Sequence, residues 1–201
     1  CTEITLNTSQ DEIAVCNLGS VNLKNHLDKD NNLDKEKLQK TISTAIRMLD
    51  NVIDINYYAV PQAENSNFKH RPIGMGIMGL QDALFKCNLS FESPKALNFS
   101  DQLMEFISYN AIDSSSELAK ERGSYETFEG SKWDRGIFPL DTLTMLEEQR
   151  GDHIDVNKIT SMDWEELKDK VKKHGMRNSL LLAPMPTAST SQIPVSYTHL
   201  R

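Results

Sequence analysis

The run Ser179-Leu180-Leu181-Leu182-Ala183 constrains the fold more than any other feature of this 201-residue chain. Its apolar side chains do not alternate with polar ones, so a strand built from it must be covered on both faces. Such strands belong to parallel sheets wrapped by helices. The rest of the chain supplies the helices. Leu38, Ile42, Ala45, Ile46, Leu49, Val52 and Ile53 recur at steps of three and four, which predicts a long amphipathic helix ending before Tyr57, Tyr58 and Pro61. Ser93-Pro94 sets a capping hydroxyl ahead of a proline at the first helical position. Leu103, Phe106, Ile107, Ala111 and Leu118 give that helix its stripe, and Gly123 ends it. A third helix is expected from Asp163, paired with Glu166 as a capping box, to His174, with Gly175 as terminator. Short strands are expected at 1–6 and 12–16, on either side of a polar connection. Strands alternating with helices give an α/β fold with parallel strands.

Charge narrows the function classes. The chain has 22 Lys+Arg against 29 Asp+Glu, a net charge of −7, and no basic run, which argues against binding DNA or RNA through phosphates. No stretch approaches the ~18 consecutive apolar residues of a membrane span. No charged-then-apolar leader follows Cys1, so no signal peptide is expected. Cys1, Cys16 and Cys87 are too few for a disulfide scaffold, and no CxxC or HxxxH occurs, so no metal site is expected. A reducing cytoplasm is the default compartment. If a thiol matters here, it matters for reactivity.

Four segments carry possible chemistry. Cys1 and Glu3 sit two apart in a strand-like run, which places thiol and carboxylate on one face. That pair suits redox or radical chemistry with the carboxylate taking a proton. It opposes a thiolate nucleophile, because a nearby negative charge raises a thiol pKa. On spacing alone, a small buried cysteine beside an exposed glutamate is the better reading. Cys16 precedes Asn17-Leu18-Gly19-Ser20 and is a second redox candidate if a partner thiol can reach it; taken alone it reads as core. Cys87 has no carboxylate or histidine close in sequence and reads as an ordinary packed thiol. Gly74-Met75-Gly76-Ile77-Met78-Gly79 fits G-x-G-x-x-G, yet no apolar strand precedes it and Asp101 falls inside a predicted helix. A strand and helix start with close-packing glycines fits better. Finally, Pro186-Thr187-Ala188-Ser189-Thr190 follows the buried strand, where parallel folds bind ligands. If a helix starts there, its N–H groups and the hydroxyls make an anion site; a plain helix cap is the other reading.

Taken in order, Cys1-Thr2-Glu3-Ile4, Ala14-Val15-Cys16-Asn17-Leu18, Asp54-Ile55-Asn56-Tyr57-Tyr58, His70-Arg71-Pro72-Ile73-Gly74, Glu117-Leu118-Ala119-Lys120-Glu121, Arg177-Asn178-Ser179-Leu180-Leu181 and Pro184 through Thr190 resemble the large, catalytic subunit of class I ribonucleotide reductases. The resemblance runs from Cys1 to about Ile193. It implies a ten-stranded α/β barrel, of which residues 1–193 are the second half, with the radical cysteine on an internal loop. Cys1 would be the thiyl-radical cysteine that takes the ribose 3′ hydrogen. Glu3 would accept the 3′-hydroxyl proton and bind substrate. Cys16 would be one of two thiols that reduce the 2′ position and become a disulfide. Pro186, Thr187, Ala188, Ser189 and Thr190 would hold the diphosphate of a ribonucleoside diphosphate. The implied activity is its reduction to the deoxyribonucleotide for DNA synthesis. The implied partners are a metal-containing small subunit that supplies the radical, thioredoxin or glutaredoxin as reductant, and a second large subunit. ATP/dATP-type effectors would bind elsewhere.

The departures are specific. The family's asparagine two residues before the radical cysteine, the partner thiol of Cys16 and the effector regions would lie upstream of Cys1. The paired tyrosines and the C-terminal cysteine tail would lie downstream. Residues 194–201 lack the family's Gly/Asn-rich continuation and read as foreign sequence. Half a barrel leaves two unpaired edges, which predicts poor solubility and no activity for these residues alone. The competing readings are another phosphate-binding α/β barrel enzyme and an inactive piece that keeps only subunit contacts.

Overall fold

A computed structural model describes residues 4–193. Two strands, β1 (Leu18–Asn22) and β2 (Gly74–Met78), pair in parallel with Leu18 opposite Gly74 and Asn22 opposite Met78. A third parallel row comes from the all-apolar run. Met75 bridges Leu182, its N–H donates to the Leu181 carbonyl at 2.8 Å, and the Ala183 N–H returns a bond to Met75 at 3.1 Å. Thus β2 is the middle row of three, and the strand expected at 179–183 is present as a short parallel partner. Among the described residues no further strand covers the outer side of β1 or of 180–183.

Glycine makes this sheet close-packed. A Cβ on Gly74 would lie 2.6 Å from Leu18 Cδ2 and 2.8 Å from Ala183 Cβ, and one on Gly76 would lie 2.8 Å from the Ala183 carbonyl. The G-x-G-x-x-G run is therefore a strand followed by the αL residue Gly79, which starts the short helix Leu80–Lys86. Its glycines meet neighbouring rows, as the packing interpretation requires.

The strand expected at 12–16 is absent, and the described part of 1–6 is not a strand. Residues 1–3 lie outside the described residues, and 5–17 form no regular element. Local tethers displace the ladder there: the Ile13 N–H donates to the Gln62 carbonyl and Glu12 is held by Lys69 and His70. The true strand begins at Leu18, in a sequence of low β-propensity, because glycines opposite it admit a close neighbour.

The helices are α1 (Lys35–Ile55), α2 (Pro61–His70), α3 (Leu80–Lys86), α4 (Pro94–Arg122), α5 (Asp141–Arg150) and α6 (Trp164–His174). Helix α1 buries Leu38, Ile42, Ile46, Leu49 and Ile53, and it packs on β1 and α4. Caps fall at the expected Ser93, Asp163, Gly123 and Gly175, and at Asp34, which was not anticipated. Asp34, Ser93 and Asp163 accept from Lys37, Ala96 and Glu166 N–H groups, and Gly123 and Gly175 close α4 and α6 at positive φ. Helices α2 and α5 have no apolar stripe, which is why periodicity does not announce them; α5 buries no residue at all.

A charged node joins these layers. Asp50, on the buried face of α1, is 0% exposed. Its Oδ1 accepts from Arg71 Nε (2.8 Å) and Asn178 Nδ2 (3.1 Å), and its Oδ2 from Arg122 Nη1 (3.1 Å) and Arg177 Nε (3.3 Å). The Arg71 guanidinium also grips Asp54 through two bonds, and this holds the Asp54 carboxyl below the usual range. Asn178 further donates to the Arg71 carbonyl and accepts from Ser115 Oγ on α4. A second cluster fixes the irregular N-terminal stretch: Glu12 takes Lys69 Nζ at 2.5 Å and His70 Nε2 at 2.9 Å, and His70 Nδ1 meets Thr127 Oγ1 at 2.8 Å.

Two outcomes follow for the complete subunit. Asp50→Ala strands a buried guanidinium and should cost about 3–5 kcal/mol, whereas Asp54→Ala, at the solvent edge, should cost about 1 kcal/mol or less. Urea unfolding midpoints of the two variants check the ranking, and equal losses contradict it. The second outcome concerns acid. Bonds from Lys69 and His70 hold the Glu12 carboxyl at about 2 instead of 4.5. A depressed folded-state pKa stabilises fully above 4.5 and loses that contribution as pH falls toward about 2. The stability gap between wild type and Glu12→Gln should therefore be full at neutrality and narrow through that acid interval; a gap that does not depend on pH contradicts the tether.

Candidate active site

The predicted site residues fall into three places. Cys1 and Glu3 lie outside the described residues. The first described residue, Ile4, is buried at 8% exposure on the sheet face of Gly74, its Cδ1 3.4 Å from where a Gly74 Cβ would sit. Leu18 and Ser20 of β1 and Gly74 and Gly76 of β2 share that face, because Gly19 looks the other way, toward Leu49 of α1. The Ser20 hydroxyl on this face is buried with no hydrogen-bond partner.

Cys16 is exposed and carries a free thiol two residues before the first paired residue of β1. It is not the core cysteine that its immediate neighbours suggest. Cys87 behaves as expected of a packed thiol: its Sγ donates to the Asn31 carbonyl at 3.1 Å, and burial pushes its pKa up. It lines a 640 Å³ cleft with Lys35, Lys86, Phe99 and Phe106, which holds none of the predicted site residues.

The hydroxyl loop follows the third row. Pro186, Ala188 and Ser189 are exposed, and Thr187 and Thr190 are half-buried. Thr187 adopts φ +58°, a left-handed conformation that costs a β-branched residue energy and that persists mainly where a loop has work to do. Its Oγ1 donates to the Pro186 carbonyl at 2.7 Å, and Thr190 Oγ1 is buried without a partner. The helix expected to start here is only a 3-10 turn, Thr190–Gln192. A three-residue turn has little dipole, so the anion-binding capacity of this loop rests on hydroxyls and local N–H groups. No Lys or Arg occurs from Asn178 to Ile193. Cys16 precedes the parallel rows and the loop follows them, so the structure sets the two at opposite ends of the sheet.

Two site features escaped the sequence reading. Asn17 is buried beside Cys16, with its Nδ2 on the Pro72 carbonyl at 3.1 Å. Asp50 lies on the apolar stripe of α1, four residues after Ile46, and an acidic residue at a core position was the signal available for it. Among the described residues no group of three or more His, Cys, Asp or Glu side chains is placed to hold a metal, and no helix is long and apolar enough to cross a membrane.

Comparison with known proteins assigns the fold. The family model for the ribonucleotide reductase barrel domain matches residues 1–199. The ribonucleoside-diphosphate reductase subunit alpha of Chlamydia pneumoniae is 53% identical over 194 residues, which is 96% of this chain and 18% of that protein. The large chain of Schizosaccharomyces pombe and the large subunit of Danio rerio are each 46% identical over 193 residues, 96% of this chain and 22% and 23% of theirs. The chain thus spans about a fifth of the length of these relatives. The parallel rows and their helices are part of an α/β barrel, and the chain belongs to the ribonucleotide reductase family, of whose barrel domain it is a portion.

Proposed function

We propose that the complete subunit containing this chain reduces ribonucleoside diphosphates to 2′-deoxyribonucleoside diphosphates for DNA synthesis, and that residues 1–193 are the second half of its ten-stranded barrel. The observation that carries this is family membership over 96% of the chain at 43–53% identity. In this mechanism Cys1, as a thiyl radical, takes the 3′ hydrogen, and Glu3 accepts the 3′-hydroxyl proton. Cys16 and an upstream thiol then deliver two electrons and two hydrogens. The C2′–O bond breaks, a C2′–H bond forms, water leaves, the two sulfurs join, and Cys1 returns the hydrogen to C3′ and is again a thiyl radical. A dithiol such as thioredoxin or glutaredoxin reopens the disulfide. The radical comes from a metal-containing small subunit. The large subunit pairs with a second copy, ATP/dATP-type effectors bind outside this chain, and the whole works in the cytoplasm. Residues 194–201 have no part in it.

The exposed thiol at position 16 supports the reducing role, because exchange requires access. Ile4, which follows the segment bearing Cys1 and Glu3 in sequence, is buried on the glycine-lined face. The orphan Thr190 hydroxyl and the left-handed Thr187 support a diphosphate loop that binds without side-chain charge.

The test uses the complete subunit, its radical-generating partner and a dithiol. Ribonucleoside diphosphate should become deoxyribonucleoside diphosphate. Ser189→Ala with Thr190→Val should weaken diphosphate binding at least ~10-fold, the equivalent of one lost charge-assisted bond. Binding of the bare nucleoside should hardly change. Equal losses for both ligands mean a damaged fold, and no loss for either removes the loop from the site.

A further inference from the structure

An exposed thiol on an irregular stretch has little of its own to fix where its sulfur stands. The residue after Cys16 is held twice. Asn17, 4% exposed, donates from Nδ2 to the Pro72 carbonyl at 3.1 Å, and its own carbonyl accepts from the Gly74 N–H at 2.8 Å. These bonds bracket Ile73, which is fully buried and whose N–H donates to the Leu180 carbonyl at 3.1 Å. The acceptor is rigid as well. Pro72 has a fixed φ and follows Arg71, whose guanidinium is clamped by Asp50 and Asp54 and whose carbonyl accepts from Asn178. Upstream of the thiol, the Ile13 N–H is bonded to the Gln62 carbonyl at 3.1 Å and Glu12 is held by Lys69 and His70. The chain is thus pinned at 13 and 17. Of the residues between, Ala14 makes a 3.3 Å bond to Thr8 within the same stretch.

We propose that Asn17 is a positioning residue for Cys16: its amide anchors the thiol's backbone to the start of β2 and so sets how fast Cys16 gives up its hydrogen and closes its disulfide, without touching substrate. This rests on Cys16 being a reducing thiol. In that step two S–H bonds and the ribose C2′–O bond break, S–S and C2′–H bonds form, and the oxygen leaves as water, the two electrons coming from the sulfurs. A disulfide accepts Cα separations of only about 4.4–6.8 Å. Consecutive Cα atoms lie about 3.8 Å apart. A slip of one residue's length at position 16 therefore takes the sulfur out of range. An amide suits the task, because it donates to a carbonyl without adding a charge that would shift the ionisation of the thiol.

The complete subunit is the object of the test, pre-reduced and paired with its radical-generating partner. Asn17→Ala should slow single-turnover deoxynucleotide formation about tenfold, the kinetic equivalent of one buried hydrogen bond, with substrate Kd within about twofold of wild type. Closure of the Cys16 disulfide by an added oxidant, without substrate, should slow by the same factor. Asn17→Asp keeps the shape but turns an oxygen toward the Pro72 carbonyl, so it carries the test if Asn17→Ala does not fold. Its rate should stay low when pH is raised, since alkali restores a loss due to thiol ionisation and not one due to position. Wild-type rates in the variants that fold, a fall in rate matched by an equal rise in Kd, or full recovery of Asn17→Asp in alkali overturns the role. Cys16→Ser separates the two levels: full turnover in it removes Cys16 from the chemistry and the proposal with it. Blocked turnover in Cys16→Ser beside wild-type rates in the Asn17 variants refutes positioning alone.

Discussion

One buried carboxylate organises the described residues. Asp50 has no exposure and four side-chain donors, from Arg71, Arg122, Arg177 and Asn178. An ion so placed is tolerable only because its lone pairs are matched by charged donors, which themselves would be stranded without it. The geometry that results is not local. Arg71 lies three residues before β2, Asn178 precedes the third row, Arg122 ends α4, and Asp50 itself belongs to α1. The node therefore fixes where two parallel rows begin relative to the helices behind them. His70-Arg71-Pro72-Ile73-Gly74 and Arg177-Asn178-Ser179, two of the segments on which the family resemblance rests, do structural work here: they are the anchors of the sheet.

What the sequence revealed and what it hid divide along a physical line. Helices α1, α4 and α6 announce themselves because each buries a stripe, and α4 and α6 also start at a side chain that accepts from the helix's own N–H groups, Ser93 and Asp163. The run at 179–183 is legible for the same reason, since nothing but burial on both faces explains unbroken Leu-Leu-Leu. The strand at Leu18–Asn22 is hidden, because glycine and serine become a strand only when Gly74 and Gly76 lie opposite. The β-type run at 12–16 misleads in the opposite sense. Glu12 and Ile13 spend their bonding on α2 rather than on a ladder. The helix expected after the hydroxyl run shrinks to the turn Thr190–Gln192 within the described residues.

The candidate site shows the same split. Reactive types are readable one at a time: a thiol at 16, hydroxyls at 187, 189 and 190. Their setting is not, because Asn17 acquires its meaning from Pro72, fifty-five positions away. The loop and the thiol stand at opposite ends of the parallel rows, and Leu18, Ser20, Gly74 and Gly76 share the face between them. On that face the packing is tight: Leu18, Ile4 and Met185 close on the glycines, and the Ser20 hydroxyl is buried without a hydrogen-bond partner.

The central claim is that Cys16 is spent as a reductant each time a nucleotide is reduced. The most direct measurement is peptide mapping of the pre-reduced complete subunit after a single turnover with no external dithiol. The account predicts one deoxyribonucleoside diphosphate per competent site and Cys16 recovered in a disulfide with a cysteine upstream of this chain, in matching amount. Product formed in that amount with Cys16 still a free thiol would contradict it.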